Sequence, residues 1–157
     1  MITYRRATVD DLDALVRLRI AFLRETNRNV TSEEAYGGMM APLRSYFAEH
    51  IPDAAFISWI AESGGEIVAT SGLSFYSIPP GMTNPSGKVA YVMNMYTVPE
   101  FRRRGIAAEL FRRVVGEAER LGYRKVELHA TAAGAGIYRK QGFKEQTTVA
   151  MVKYLRT

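Results

Sequence analysis

The stretch from Tyr91 to Leu121 constrains this chain more than any other. Ala90 to Val98 is rich in β-branched and aromatic residues and reads as a strand. Pro99 has no amide hydrogen for a central ladder, so the strand closes there. From Gly105 the period changes. Ile106, Leu110, Val114, Ala118 and Leu121 recur at three- and four-residue intervals, as on one face of a helix. Gly122 follows as its stop. Between strand and helix lies Arg102-Arg103-Arg104-Gly105-Ile106-Ala107. The first N–H groups of a helix have no intrahelical partner, and the helix dipole favours negative charge there. A tight cationic turn at that point is prepared for a phosphate or pyrophosphate.

An arginine-rich turn is also what a solvated surface loop looks like. Two features favour the anion. Gly105 and Ala107 are small where a ligand's oxygens must approach the backbone. The arginines also crowd the positive end of the helix, where cations are disfavoured unless a polyanion relieves them. The turn is not a P-loop, because no Gly-Lys-Ser/Thr follows, and it is not the dinucleotide G-x-G-x-x-G.

Other readings are bounded by composition. The 157 residues are expected to form one domain, 1–157, with 47% hydrophobic and 24% charged residues. The chain has no cysteine and two histidines, so no metal site is expected. No run of apolar residues is long enough to span a bilayer, and MITYRRATVDD lacks a signal-peptide core. The expected location is cytoplasmic, with no membrane partner. The formal charge of +5 favours anionic ligands. Without a clustered basic stripe, nucleic acid is not expected among them.

Along the chain, Ile2 to Ala7 reads as a strand. Asp10-Asp11 opens a helix with Leu12, Leu15, Val16, Leu18, Phe22 and Leu23 on one face, running to Glu25 or Thr26. Ser32-Glu33-Glu34 starts a second helix, with a break expected at Gly37-Gly38 and a new start at Pro42. Phe56 to Ala61 and Glu66 to Phe75 read as strands joined by a tight turn at Ser63-Gly64-Gly65. Tyr76 to Lys88 is a Pro- and Gly-rich loop. After the organising unit come a strand over 124–130, a short helix at Ile137–Gln141 and a final strand over Thr147–Tyr154. This order makes a mixed α/β (α+β) layout.

At this point the motifs can be set together. Tyr96-Thr97-Val98-Pro99 followed by Arg102-Arg103-Arg104-Gly105-Ile106-Ala107 is similar to the Arg/Gln-x-x-Gly-x-Gly/Ala motif of the GCN5-related N-acetyltransferases (GNAT). Tyr138-Arg139-Lys140-Gln141-Gly142-Phe143 resembles the Tyr-x-x-x-Gly-Phe of the same family, and TYRRATVDDLDALVRLR its first strand and helix. The resemblance spans essentially the whole chain. It implies a central, mostly antiparallel sheet of about six to seven strands with about four helices. It also implies an acetyl-CoA-dependent N-acetyltransferase. Carried over, the N–H groups of Arg103 to Ala107 hold the CoA pyrophosphate, with Arg102, Arg103 and Arg104 adding charge and Ile106 opening the helix. The backbone of Met95, Tyr96, Thr97 and Val98 pairs with pantetheine, and an N–H near Met95 or Tyr96 polarises the thioester carbonyl. Tyr138 matches the family's general acid, and a phenol of pKa about 10 is protonated at neutral pH.

Two departures stand out. Thr131 occupies the place where many members carry an asparagine that bonds pantetheine. Where members often place a glutamate as general base, this strand offers Asn94, which can position a water but takes no proton. Glu25, Glu33, Glu34 and Glu62 are other base candidates, none singled out. Tyr36 and Tyr76 are candidates for the acceptor groove. The acceptor is expected to be a small-molecule or peptide amine attacking directly in a ternary complex, since no Cys and no Ser-His pair offers a covalent route. A homodimer fits the family's habit, with no interface identified. The missing carboxylate leaves an alternative: a CoA-binding sensor or regulatory domain with weak catalysis.

Overall fold

β1 (Ile2–Arg6) opens the fold in a computed structural model that describes residues 1–156. A capping box follows: the Thr8 hydroxyl accepts from Asp10 N–H, and the Asp11 carboxylate accepts from Thr8 N–H at 2.8 Å. Arg5 donates to both Asp11 oxygens at 2.8 Å and to Glu62 at 2.6 Å, tying the first strand, the cap and a later strand together. Helix α1 (Leu12–Thr26) then buries Leu12, Leu15, Val16 and Leu18.

The break expected in the second helix does not occur. Helix α2 runs without interruption over Glu33–His50, with Pro42 inside it. The proline removes one internal hydrogen bond. Packing outweighs that loss: Phe47 is buried with its ring 5.4 Å from Phe56, and Leu43 and Tyr46 pack on the same cluster. Gly37 and Gly38 have open space around them, so nothing forces a bend.

The strand expected over Phe56–Ala61 is divided at Ser58 into β2 (Phe56–Ile57) and β3 (Trp59–Ser63). A two-residue turn, with Gly64 at φ 59 and Gly65 at φ 82, joins β3 to β4 (Glu66–Ser77). Both positive values suit a type I′ turn, which is how the tight turn expected at Ser63-Gly64-Gly65 is made. β5 (Lys88–Thr97) and β6 (Lys125–Leu128) complete a six-stranded sheet in the order β1-β3-β4-β5-β6, with β2 beside β4. All pairs are antiparallel except β5 with β6. This is the mixed, mostly antiparallel sheet with four helices that the resemblance implies.

Neighbouring strand residues point to opposite faces, and the two faces carry different helices. Phe56, Ile60, Ile67 and Tyr96 pack with α1 and α2. Ile57, Leu73, Ala90 and Val92 pack under helix α3 (Ile106–Arg120), and so do Ala61, Val68 and Ala69. α3 ends at Gly122, φ 80, where Tyr123 N–H donates to Ala118 O at 2.9 Å, a Schellman closure. Helix α4 (Ala135–Lys140) lies where the short helix was expected.

The final strand does not form. Residues 147–154 carry no regular structure, and Val149 and Met151 are 85% and 93% exposed. The segment runs beside β6 across a cavity of about 550 Å³ lined by both, without making ladder bonds. Alternation specifies a strand only where one face is covered, and nothing covers these side chains.

Candidate active site

The parallel pairing of β5 with β6 stops at Val92↔Leu128. Beyond it β5 continues to Thr97 with no strand on that side among the described residues. The divergence is accompanied by a bulge. Thr70 pairs with Tyr96 but Gly72 with Met93, so Asn94 and Met95 together oppose Ser71. Asn94 takes a left-handed φ of 54 there, and Thr70 Oγ1 donates to its carbonyl at 3.1 Å. Gly72 has to be small, because a Cβ would stand 2.6 Å from the Phe56 ring. The splay between β5 and β6 is thus built from a bulge, a glycine and a short β6.

At the far end of β5, Pro99–Phe101 makes a single 3₁₀ turn, and Gly105, φ 77, precedes α3 without a side-chain cap. The first intrahelical bond runs from Glu109 N–H to Gly105 O at 3.1 Å. The backbone N–H groups of Arg103 through Ala108 donate to no oxygen among the described residues. Arg103 itself is left-handed, φ 62. A run of unpaired donors at a helix start is an anion site by construction. Glu109, the one acid of the first turn, is neutralised by Arg112 at 2.8 Å and Arg113 at 2.7 Å. Arg113 is half-buried between Tyr4 and Trp59.

The three arginines divide their roles. Arg103 is exposed with no partner among the described residues, and Arg104 donates to Glu100 O at 2.9 Å. Arg102 turns away from the helix start. Its Nε donates to Thr97 O at 2.8 Å and its Nη2 to Glu25 Oε1 at 2.6 Å. Tyr96 OH donates to the same Glu25 oxygen at 3.1 Å. Burial and Glu25 raise the Tyr96 pKa, and the bond to Glu25 raises that of Arg102. Of the four glutamate candidates, Glu25 alone is brought to the strand that carries the site. No local pattern in the sequence links position 25 to position 102.

Asn94 is buried, and neither its amide nitrogen nor its amide oxygen has a partner among the described residues. Tyr138 rests its ring on Phe111 at 4.7 Å, and burial raises its pKa. It lines the 550 Å³ cavity together with Thr131. Thr131 Oγ1 accepts from Gly134 N–H at 3.2 Å, shaping the turn into α4.

The two acceptor-groove candidates fare differently. Tyr36 is buried, its hydroxyl donating to Val30 O at 2.9 Å and its ring beneath Arg24, so it fixes the loop between α1 and α2. Tyr76 is 42% exposed near the end of β4. His129 lies just past β6 with its ring edge toward Tyr91 at 5.8 Å. Among the described residues no three acidic or histidine side chains gather as a metal site, and no helix is long and apolar enough to cross a membrane.

Comparison with known proteins speaks to the fold and the family. A profile described as the Acetyltransferase (GNAT) family matches residues 21–143. A predicted acetyltransferase from Clostridium acetobutylicum, solved with acetyl-CoA, superposes with a TM-score of 0.85 at 31% identity, over 98% of this chain and 96% of that one. A GCN5-related N-acetyltransferase from Ralstonia eutropha JMP134 gives 0.84 at 28% identity, over 98% and 99%. Glucosamine-6-phosphate N-acetyltransferase from Arabidopsis thaliana, at 17% identity and TM-score 0.65 over 99% of both chains, shares the fold. No curated protein matches the chain in sequence. The chain belongs to the Acetyltransferase (GNAT) family.

Proposed function

We propose that this chain transfers the acetyl group of acetyl-CoA to an amine by direct attack in a ternary complex. The observation that carries the reading is the adjacency of two unsatisfied backbone surfaces. These are the run of free N–H groups from Arg103 to Ala108 and the unpaired flank of β5. The first suits a pyrophosphate, to which Arg103 adds an unopposed charge. The second suits an extended, amide-bearing chain such as pantetheine.

Val98 N–H donates to Val68 O on β4 at 2.9 Å. Alternation then turns Met95 N–H to the open flank, where it serves as donor to the thioester oxygen. As the amine attacks, a C–N bond forms and the C–S bond breaks. Tyr138 donates its proton to the departing sulfur, and burial keeps that proton in place at neutral pH. The amine's own proton leaves through a water held by the Asn94 amide. Thr131 supports pantetheine from the α4 side.

The alternative, a sensor that binds CoA without turnover, draws on the same Asn94, since no carboxylate lies on β5. Thiol release from acetyl-CoA across an amine library separates the two. Calorimetric CoA binding with release above the blank supports transfer. Binding with no release from any amine supports the sensor.

A further inference from the structure

Among the described residues, half-buried arginines are paired with acids, with one exception. Arg5 is held by Asp11 and Glu62, and Arg113 by Glu109. Arg19, in the middle of α1, is likewise half-buried but meets no carboxylate and donates no hydrogen bond among the described residues. Arg28, Arg103, Arg104, Arg124 and Arg156 also lack an acid, but they are exposed and water satisfies them. The Arg19 guanidinium lies over the Phe22 ring at 5.0 Å. The ionisable groups that act on it are the phenols Tyr46 of α2 and Tyr91 of β5, and burial lowers its pKa. Tyr46 stacks on His50 at 4.3 Å and Tyr91 meets His129. A withdrawn cation with no counter-charge is costly, and a bound anion would offset that cost.

Position says which anion. Tyr91 pairs with Glu127 one residue before the last β5–β6 pair, so the cluster stands where the sheet begins to part. It lies on the face that carries α1 and α2, opposite α3. Arg19 stands one helical turn after Leu15 and one before Phe22, so it lies on the α1 face that packs against this side of the sheet. One planar guanidinium flanked by two phenols matches a carboxylate, which it can grip with two parallel bonds. A phosphate dianion would retain excess charge with a single cation.

We infer that Arg19, with Tyr46 and Tyr91, forms a carboxylate subsite, and that the acceptor is an amine that also bears a carboxylate. This rests on the acetyl-transfer reading above and names its substrate class.

The test is binding in the presence of CoA, read by calorimetry. The probes are N-acetyl amino acids, each beside its carboxamide, with phosphoethanolamine as the phosphate arm. At least one N-acetyl amino acid should bind about ten- to a hundredfold more tightly than its amide. Arg19→Gln should erase the difference, and Arg19→Lys should keep part of it. Melting curves confirm that both variants fold. Equal affinity for acids and amides, a preference that survives Arg19→Gln, or Arg19-dependent binding of phosphoethanolamine alone overturns the inference. Thiol release with benzylamine and with amino acids is run alongside. Equal transfer to both refutes the carboxylate subsite and leaves acetyl transfer standing. Arg19-dependent carboxylate binding without any transfer does the reverse.

Discussion

Arg102 bridges the turn before α3 and the end of α1, its Nη2 2.6 Å from Glu25 Oε1 while its Nε holds Thr97 O. Both partners are about two-fifths exposed, at 41% and 45%. The pair should therefore contribute only about 0.2–1 kcal/mol to stability. Its effect should appear elsewhere, in how firmly the Thr97 carbonyl and Tyr96 ring are held. Arg102→Ala and Glu25→Gln are expected to raise the KM for acetyl-CoA severalfold with small changes in melting. A double-mutant cycle on that KM should show coupling, and additive effects would sever the link.

Gly105 supplies the left-handed residue before α3, with nothing within 4 Å of a Cβ built there. Space is available but the conformation is not, so Gly105→Val should cost about 1–2 kcal/mol and disturb the free N–H groups. CoA affinity should fall by at least about tenfold, in line with the loss of charge-assisted bonds. Gly116, exposed inside α3, is the control. Gly116→Ala should stabilise by about 0.5–1 kcal/mol and leave CoA affinity unchanged.

Tyr138→Phe keeps the packing on Phe111 and removes one proton. It should lower kcat by about a hundredfold or more, with CoA affinity intact. Because burial raises the wild-type pKa, activity should persist to the upper end of the ordinary tyrosine range before falling. The variant should lack that alkaline limb. Wild-type turnover in Tyr138→Phe would remove the acid role.

Asp11 accepts from Arg5 and from Thr8 N–H, and those bonds lower its pKa against the opposing effect of burial. A depressed folded pKa means that stability is full above the unfolded value near 4 and is lost as pH falls through the folded value. Asp11→Asn should therefore destabilise by about 2 kcal/mol at neutral pH. The gap to wild type should narrow below pH 4 in urea titrations. A gap independent of pH would show that the cap, not the charge, matters.

Gly87 is the tightest glycine. At φ 67, a Cβ would stand 2.1 Å from Ile78 O, in the loop between β4 and β5. Gly87→Ala should cost about 1–3 kcal/mol, because loop and backbone must both shift. Denaturant unfolding measures it. A neutral result would mean the loop is looser than its bonds through Asn84 suggest.

Much of this was legible in the chain because local chemistry and global fold agree. The tight turn at Gly64-Gly65, the acidic helix opening at Asp10-Asp11 and the apolar face of α3 each follow from neighbouring residues. Two errors came from reading local signals without their surroundings. Pro42 should break a helix, but Phe47 and Tyr46 hold the second half against Phe56 while buried Tyr36 ties down the first. The alternation at 147–154 suits a strand, but no layer covers it. The site divides the same way. The turn at Arg102–Ala107 announces itself in the chain. The links from Glu25 to Arg102 and from Arg19 to Tyr91 join remote segments, and only the assembled sheet brings them together.

The parting of β5 from β6 has a consequence for the empty protein. A flank of main chain open to solvent is sticky, able to zip onto any extended segment that drifts past. A tightly held co-substrate would act as a keystone, plugging that seam and raising the melting temperature in proportion to the logarithm of its concentration. Preparations kept without it should be the ones that clump on storage.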